Sequence, residues 1–217
     1  MVIDYKSGGA KVSAQDVYYG LKLQLMTYLL ALESAYGKTH GDAMSPAAVV
    51  YTYVKNPQTS SNVPISYDDA MELAKTNSAL QNSGYFADDV ELLTHIDNRV
   101  LSYGSSKGPY VPLRIGKDQQ IYKSDKPKVK SSGDFDVMCR YTRHVMARAG
   151  QQIGDGLFPI KPYQLNGVRP CTYCEYQNVC RFDSSRNQYN YLSGLAEEDA
   201  LNAMKEALNE GGEDHGC

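Results

Sequence analysis

Hydrophobic patterning starts at the first residues. Val2-Ile3-Asp4-Tyr5-Lys6 is a short β-type run, closed by Ser7-Gly8-Gly9. A native chain rarely begins in mid-strand, because a terminal strand still needs neighbours. Met1 is therefore expected to be a start placed within a longer polypeptide. Ser13-Ala14-Gln15-Asp16 reads as a capping box ahead of an apolar run. Leu21, Leu25, Tyr28, Leu29, Leu32 and Tyr36 recur at three- and four-residue steps, which predicts one helix over roughly 14–36 with Gly37 as its C-cap. Ala47–Lys55 (AAVVYTYVK) is β-branched and aromatic, a strand ended by Asn56-Pro57.

The pattern is less regular further on. Residues 58–66 read as a polar loop, and Tyr67 to about Leu80 as a helix. Between Ser83 and Lys130 the signal weakens to a short helix near Asp88–Ile96 and two strands or a hairpin around 109–123. Phe135–Ile153 is a clear helix, with Val137, Met138, Tyr141, Val145, Ala149 and Ile153 as its apolar stripe and Gly154-Asp155-Gly156 as its stop. Pro159, Pro162 and Pro170 mark an extended connector. A last helix is expected over about 195–208, and a disordered tail over Gly211–Cys217. No internal repeat is visible.

Composition narrows the class. With 217 residues, the chain can hold one domain with a real core, or one domain and an appendage. An apolar fraction of 42% is ordinary for a folded soluble protein. Tyrosine occurs 18 times and tryptophan never, which favours half-exposed aromatic surfaces. The formal net charge of -3 argues against a general nucleic-acid sponge, so any such contact needs a local basic stripe or a partner. No apolar run approaches the roughly 18–20 residues that span a bilayer, and no signal peptide opens the chain, so no membrane role is expected. Five cysteines, three of them crowded together, suit a reducing cytoplasm better than a disulfide framework.

Four groups of residues could carry chemistry. Asp4 and Lys6 lie two apart on a strand and so share one face. A carboxylate there can hold Mg²⁺, the Tyr5 backbone carbonyl can add an oxygen ligand, and the ammonium can stabilise charge on a phosphorus centre. The plainer alternative is a surface ion pair. Gln24 and Tyr28 stand at i and i+4 on the predicted first helix, one above the other; taken alone they read as a solvated amide and a core ring. A short glycine-rich loop nevertheless places that helix beside Asp4 and Lys6. Cys171-Thr-Tyr-Cys174 followed by Cys180 brings three soft thiolates near one point, as in a zinc site or an iron–sulfur cluster. A fourth ligand is not evident among Cys139, His144, His215 and Cys217. Lys123, Lys126, Lys128 and Lys130 alternate, and Arg140, Arg143 and Arg148 line one helix. They form either a solvated face or a backbone-contact stripe for DNA.

In order along the chain come Asp4-Tyr-Lys6-Ser-Gly, Gln24-x-x-x-Tyr28, and Cys174-Glu-Tyr-Gln-Asn-Val-Cys180-Arg-Phe-Asp183, approached through Gly156-Leu-Phe-Pro159 and Pro162-Tyr163. Together they resemble the RecB-like branch of the PD-(D/E)xK nucleases, in particular the C-terminal nuclease domain of the AddB/RexB subunit of bacterial helicase–nucleases. The resemblance implies an α/β, restriction-endonuclease-like mixed sheet flanked by helices, followed by a cysteine-rich cluster-binding segment. It implies Asp4 as an Mg²⁺ ligand, Lys6 as the catalytic lysine, and Gln24 and Tyr28 as the supporting helix motif. It makes Cys171, Cys174 and Cys180 three ligands of a [4Fe–4S] cluster whose fourth cysteine lies far upstream. The family's further acidic residues and histidine also precede the D-x-K motif, where this chain has only three residues, so truncation at the N-terminus is expected.

The expected organisation is a partial nuclease core over 1–158, an iron–sulfur segment over 159–186, and a C-terminal helix and tail over 187–217. The expected function is Mg²⁺-dependent DNA exonuclease activity in double-strand-break repair, with an AddA/RexA-like helicase subunit as partner. The isolated fragment is expected to be inactive. The alternatives are a non-catalytic DNA-binding and assembly module, or an unrelated zinc-ribbon protein.

Overall fold

Strand β1, Val2–Lys6, alternates as a half-buried strand should: Val2, Asp4 and Lys6 turn inward while Ile3 and Tyr5 face out. The structure is a computed structural model that describes residues 1–8, 10–40, 44–54, 63–70 and 81–210. β1 pairs in parallel with β2, Ala48–Tyr53, and the register sets Asp4 opposite Tyr51 and Lys6 opposite Tyr53. β3, Ser83–Ala87, runs antiparallel to β2, and the two-residue β4, Val129–Lys130, runs parallel to β3. The sheet order is β1-β2-β3-β4, a mixed sheet as expected.

Its two faces carry two cores. Val2, Val49, Tyr51 and Tyr85 face the helices, packing with Leu25, Met26 and Leu29 of α2 (Gln24–His40), Phe135 and Met138 of a long helix at Ser132–Gly154, and Ala200, Leu201 and Met204 of a last helix at Glu197–Glu210. A short helix α1, Ala14–Tyr18, fills the corner between them with Ala14 and Val17. On the opposite face Ala48, Val50 and Phe86 pack with Leu93 of α3, Val90–Ile96, and with Val100, Val111, Leu113, Ile115 and Ile121 from the following loops. Each fully buried Leu or Phe contributes on the order of 2 kcal/mol of transfer free energy. The long helix at Ser132–Gly154 is α4; a capping box between Ser131 and Asp134 starts it just ahead of the apolar stripe. The last helix, at Glu197–Glu210, follows a separate two-stranded parallel pair, β5 (Tyr163–Leu165) with β6 (Asn190–Leu192). That pair brackets the cysteine run and its four-residue helix α5, Gln177–Cys180, so the last helix is α6.

The single helix expected over 14–36 is two. The chain turns at Tyr19–Leu23, where Gly20 has φ +71° and a Cβ would meet Val145 at 3.2 Å, and the amides of Leu21 and Lys22 both bond to the Asp16 carbonyl. Helix α2 then runs past Gly37 to His40, so Gly37 is not a cap. The apolar period holds on both sides of the turn and conceals it. β3 has no clear sequence signal because Ser83-Gly84 breaks its pattern; a Cβ on Gly84 would lie 2.1 Å from the Val49 carbonyl oxygen, so only glycine lets β2 and β3 close. β4 is too short to leave a signal. The hairpin expected at 109–123 is present as an Ile115–Ile121 bridge flanked by the Tyr122-to-Arg114 amide bond. Residues 67–70 are helical; the rest of the helix expected to Leu80, the Asn56-Pro57 stop and the Gly211–Cys217 tail lie outside the described residues.

Two buried charges organise the core edge. Lys130 is 3% exposed; its ammonium reaches Glu197 at 3.2 Å and the Pro127 carbonyl at 2.8 Å, and lies 4.5 Å from the centre of the Tyr85 ring. Glu197 also accepts from the Tyr85 hydroxyl at 2.7 Å and the Ala14 amide at 3.2 Å. Burial pushes the Tyr85 hydroxyl well above its ordinary pKa, so it remains a donor. Asp125, 2% exposed, accepts from the Arg114 amide and guanidinium and from Lys107. Burial alone would raise its pKa, but the Arg114 and Lys107 hydrogen bonds outweigh burial and hold it at about 2. Its contribution to stability is therefore complete above about pH 4 and is lost as pH falls through about 2. Asp125→Asn is expected to cost about 2 kcal/mol at neutral pH. Thermal melts across pH 2–7 check this: the variant should show a flatter acid limb than the parent chain.

Candidate active site

At the end of β1, four side chains form one hydrogen-bonded unit. Lys6 Nζ lies 2.6 Å from Asp4 Oδ2 and donates to Gln24 Oε1 at 2.7 Å. The amide nitrogen of Gln24 donates to the Tyr28 hydroxyl at 2.8 Å and reaches Asp4 Oδ1 at 3.4 Å. The strand supplies Asp4 and Lys6 on one face. The break at Gly20 sets Gln24 at the first turn of α2, and the helical repeat puts Tyr28 one turn above it. Tyr28 is 44% exposed, so the core reading of that residue does not hold; its ring lines the open side of the site. Leu25, Met26 and Leu29 take the core face of α2 and leave Tyr28 beside it.

The electrostatics are set by the ion pair. The Asp4 carboxylate beside it raises the Lys6 pKa, with partial burial opposing, so the ammonium stays charged. Asp4 Oδ2 is buried and has the Lys6 ammonium as its partner at 2.6 Å, while Oδ1 faces the Gln24 amide nitrogen at 3.4 Å. A carboxylate at a strand end is an oxygen ligand suited to a hard metal ion. Among the described residues, however, no three His, Cys, Asp or Glu side chains are gathered to hold a metal. The Tyr5 side chain faces away on the exposed side of β1, which leaves its backbone carbonyl as the atom in question.

The cysteine run lies apart from this site. Cys171, Cys174 and Cys180 line a cavity of about 560 Å³ with Gln177, Phe182, Asp183 and Tyr189, and all three are free thiols. Gln177 donates to the Cys171 carbonyl, and Arg181 adopts φ +53° directly after Cys180, turning the chain back over the cavity. The thiols share the cavity without forming a metal-holding group in this structure. Cys139 is in the main core, where burial pushes its thiol up to about 12, and it is no ligand. His144 lies against Tyr141 on α4; His215 and Cys217 lie outside the described residues.

The four-lysine run does not form one stripe. Lys123–Lys128 is a 3-10 turn, so strand alternation does not apply. Lys126 pairs with Asp88 at 3.0 Å, and Lys130 is the buried partner of Glu197, inaccessible to a phosphate. Burial, and then the charge of Lys107, lowers the pKa of Lys128, with Lys11 and Arg114 adding to the effect, so the cations that cluster there come from four separate segments. Sequence reasoning also missed Tyr51. It lies under Lys6, with the ammonium 5.1 Å from its ring centre. Its position in a β-branched strand is visible in the sequence, but not the register that sets it opposite Asp4.

A mixed sheet carrying Asp4 and Lys6 at one strand end, braced by Gln24 and Tyr28, has the architecture of a phosphodiester-cleaving fold. The chain belongs to the PD-(D/E)XK nuclease superfamily, whose family model matches residues 1–181. Within it, the chain is similar to the AddB/RexB subunit of the ATP-dependent helicase/deoxyribonuclease of Alkaliphilus metalliredigens (31% identical, covering 94% of this chain and 17% of that protein) and of Bacillus subtilis (32%, covering 91% and 16%). The Bacillus velezensis counterpart is 34% identical over 91% of this chain. The chain thus spans about one-sixth of the length of these relatives. The resemblance drawn from the end motifs is borne out. No helix among the described residues is long and apolar enough to cross a membrane.

Because Lys6, Gln24 and Tyr28 all keep solvent access, Gln24→Ala is expected to cost under about 1 kcal/mol of stability. A denaturant titration checks this; a larger loss would mean that the glutamine holds the fold rather than the site.

Proposed function

We propose that this chain is the nuclease domain of an AddB/RexB-type helicase–nuclease protein, acting on DNA in double-strand-break repair beside an AddA/RexA-like helicase subunit. The observation that carries this reading is the Asp4–Lys6–Gln24–Tyr28 unit, in which a carboxylate and an amine are paired at 2.6 Å at a strand end and braced from the adjoining helix. Asp4, with the Tyr5 carbonyl, would hold Mg²⁺, which supplies a Lewis acid and a water activated for attack on a phosphodiester. Lys6 holds a positive charge where negative charge develops on the phosphoryl oxygens. Gln24 fixes the ammonium through its amide oxygen and links it to Tyr28, whose exposed ring and hydroxyl border the substrate side. With no group of three metal-ligating side chains among the described residues, the chain by itself is proposed to be inactive. Lys11, Lys123 and Lys128 offer charge for backbone contacts to DNA, whereas Lys107 and Arg114 are paired with Asp125, Lys126 with Asp88 and Lys130 with Glu197.

Asp4→Ala and Lys6→Ala, made in the full-length polypeptide with its partner subunit, are expected to reduce Mg²⁺-dependent DNA degradation by at least about a hundredfold. Cleavage at the parent rate would remove these residues from the chemistry and favour a DNA-binding and assembly module.

The three thiols around one cavity, at C-x2-C-x5-C spacing, support a role as three ligands of a [4Fe–4S] cluster that fastens the segment bracketed by β5 and β6. Anaerobic preparations of the full-length protein should contain about four iron and four sulfide per chain by this reading, and lose them on Cys174→Ala. One zinc and no iron would replace the cluster with a structural zinc site.

A further inference from the structure

The Lys6 ammonium has three N–H bonds and three neighbours. Asp4 Oδ2 lies 2.6 Å away and Gln24 Oε1 2.7 Å away, and the face of Tyr51 closes the inner side at 5.1 Å from ring centre to nitrogen. The first two partners belong to partly exposed side chains. The third does not: Tyr51 is 3% exposed, sits in β2 opposite Asp4, and packs in the core with Val2, Val49 and Leu29. Of the three, the ring is the most deeply buried. We propose that Tyr51 is the positioning residue of the site: its ring face is the fixed floor against which the Lys6 ammonium is set, leaving Asp4 and Gln24 as its adjustable partners. The same sheet face repeats the device one strand over, where Lys130 stacks on Tyr85 at 4.5 Å. There the ammonium is sealed by Glu197 and serves the fold; at Lys6 the outer side stays open to a substrate.

This inference rests on the reading of Lys6 as the charge-stabilising residue of a nuclease, and the test separates the two. In the full-length protein with its partner subunit, kcat and KM are measured for Mg²⁺-dependent degradation of single-stranded DNA. Tyr51→Phe keeps the ring and should stay within about twofold of the parent, because the ring face is what matters. Tyr51→Leu should lower kcat roughly tenfold with little change in KM, the scale of one cation–π contact acting on the chemical step. Tyr85→Leu serves as the control for the loss of a buried ring, and should lower the melting temperature without that selective loss of kcat. Should Tyr51→Leu fail to fold, mono-, di- and trifluorinated phenylalanines at position 51 keep the volume while stripping the ring's negative face, and kcat should fall stepwise along that series. A flat fluorination series, or a Tyr51→Phe loss as large as that of Tyr51→Leu, overturns the inference. Lys6→Ala, run beside these, tells the failures apart: if it is inactive while the Tyr51 series is flat, only the role of Tyr51 falls. If it cleaves at the parent rate, the nuclease reading and this inference both fall.

Discussion

Parallel pairing of β1 with β2 decides which side chains meet at this site. A shift of one residue would send Asp4 and Lys6 to the face that carries Ile3 and Tyr5, away from α2. In the observed register Val2 anchors the start of β1 in the core, and each two-residue step adds a functional group, first the carboxylate and then the amine. Tyr51, in the partner strand, is brought beneath them by the same register. The site is thus a continuation of the core's inner stripe past the point where the core ends, so burial fades from Val2 to Lys6 while the backbone stays held by the ladder.

Helix α2 completes the site because the chain breaks before it. If 14–36 were one helix, Gln24 would sit in its middle and Leu21 and Leu25 would share its buried face. The turn at Gly20 makes Gln24 the first residue of a new helix whose start lies against β1, and α1 becomes a separate wedge. That wedge is bolted from the other end of the chain. Tyr19 donates to the Ser193 carbonyl, Gln15 accepts from the Leu195 amide, and Glu197 accepts from the Ala14 amide. The segment following β6 therefore clamps α1, and α1 adjoins the loop between the strand with Asp4 and Lys6 and the helix with Gln24. Through this contact the cysteine segment, although distant from Lys6, has a continuous path of hydrogen bonds and packed backbone to the elements that set the site.

What could be read from the sequence were local features: the short first strand, the β-branched second strand, the long capped helix and the cysteine spacing. Each depends on neighbours within one or two turns, and each appears close to its expected place. What could not be read depended on distant partners. Gly84 makes sense only against the Val49 carbonyl, and β4 only against β3. Lys130 belongs to an outwardly solvated run, and only the fold brings Glu197 and Tyr85 to it. The site divides in the same way: Asp4, Lys6, Gln24 and Tyr28 were legible because a strand and the adjoining helix carry them at fixed spacing. Tyr51 was not, because its place depends on a pairing 45 residues away from Lys6 in the chain.

The two lysine–tyrosine stacks on one sheet face show how a single packing device serves two ends. At Lys130, every side of the ammonium is occupied by protein: the Tyr85 ring below, Glu197 beside it and the Pro127 carbonyl above. A buried ion pair of this kind adds little net stability over an apolar pair, but removing either partner leaves an uncompensated charge, so it fixes position more than it stabilises. Lys6 has the same floor and a carboxylate neighbour, but its outer side opens to solvent. The solvent-open pair is the one that can exchange a protein contact for a metal or phosphate contact without unfolding anything. Solvent access, rather than the types of residue, is what makes one lysine part of the scaffold and the other part of a site.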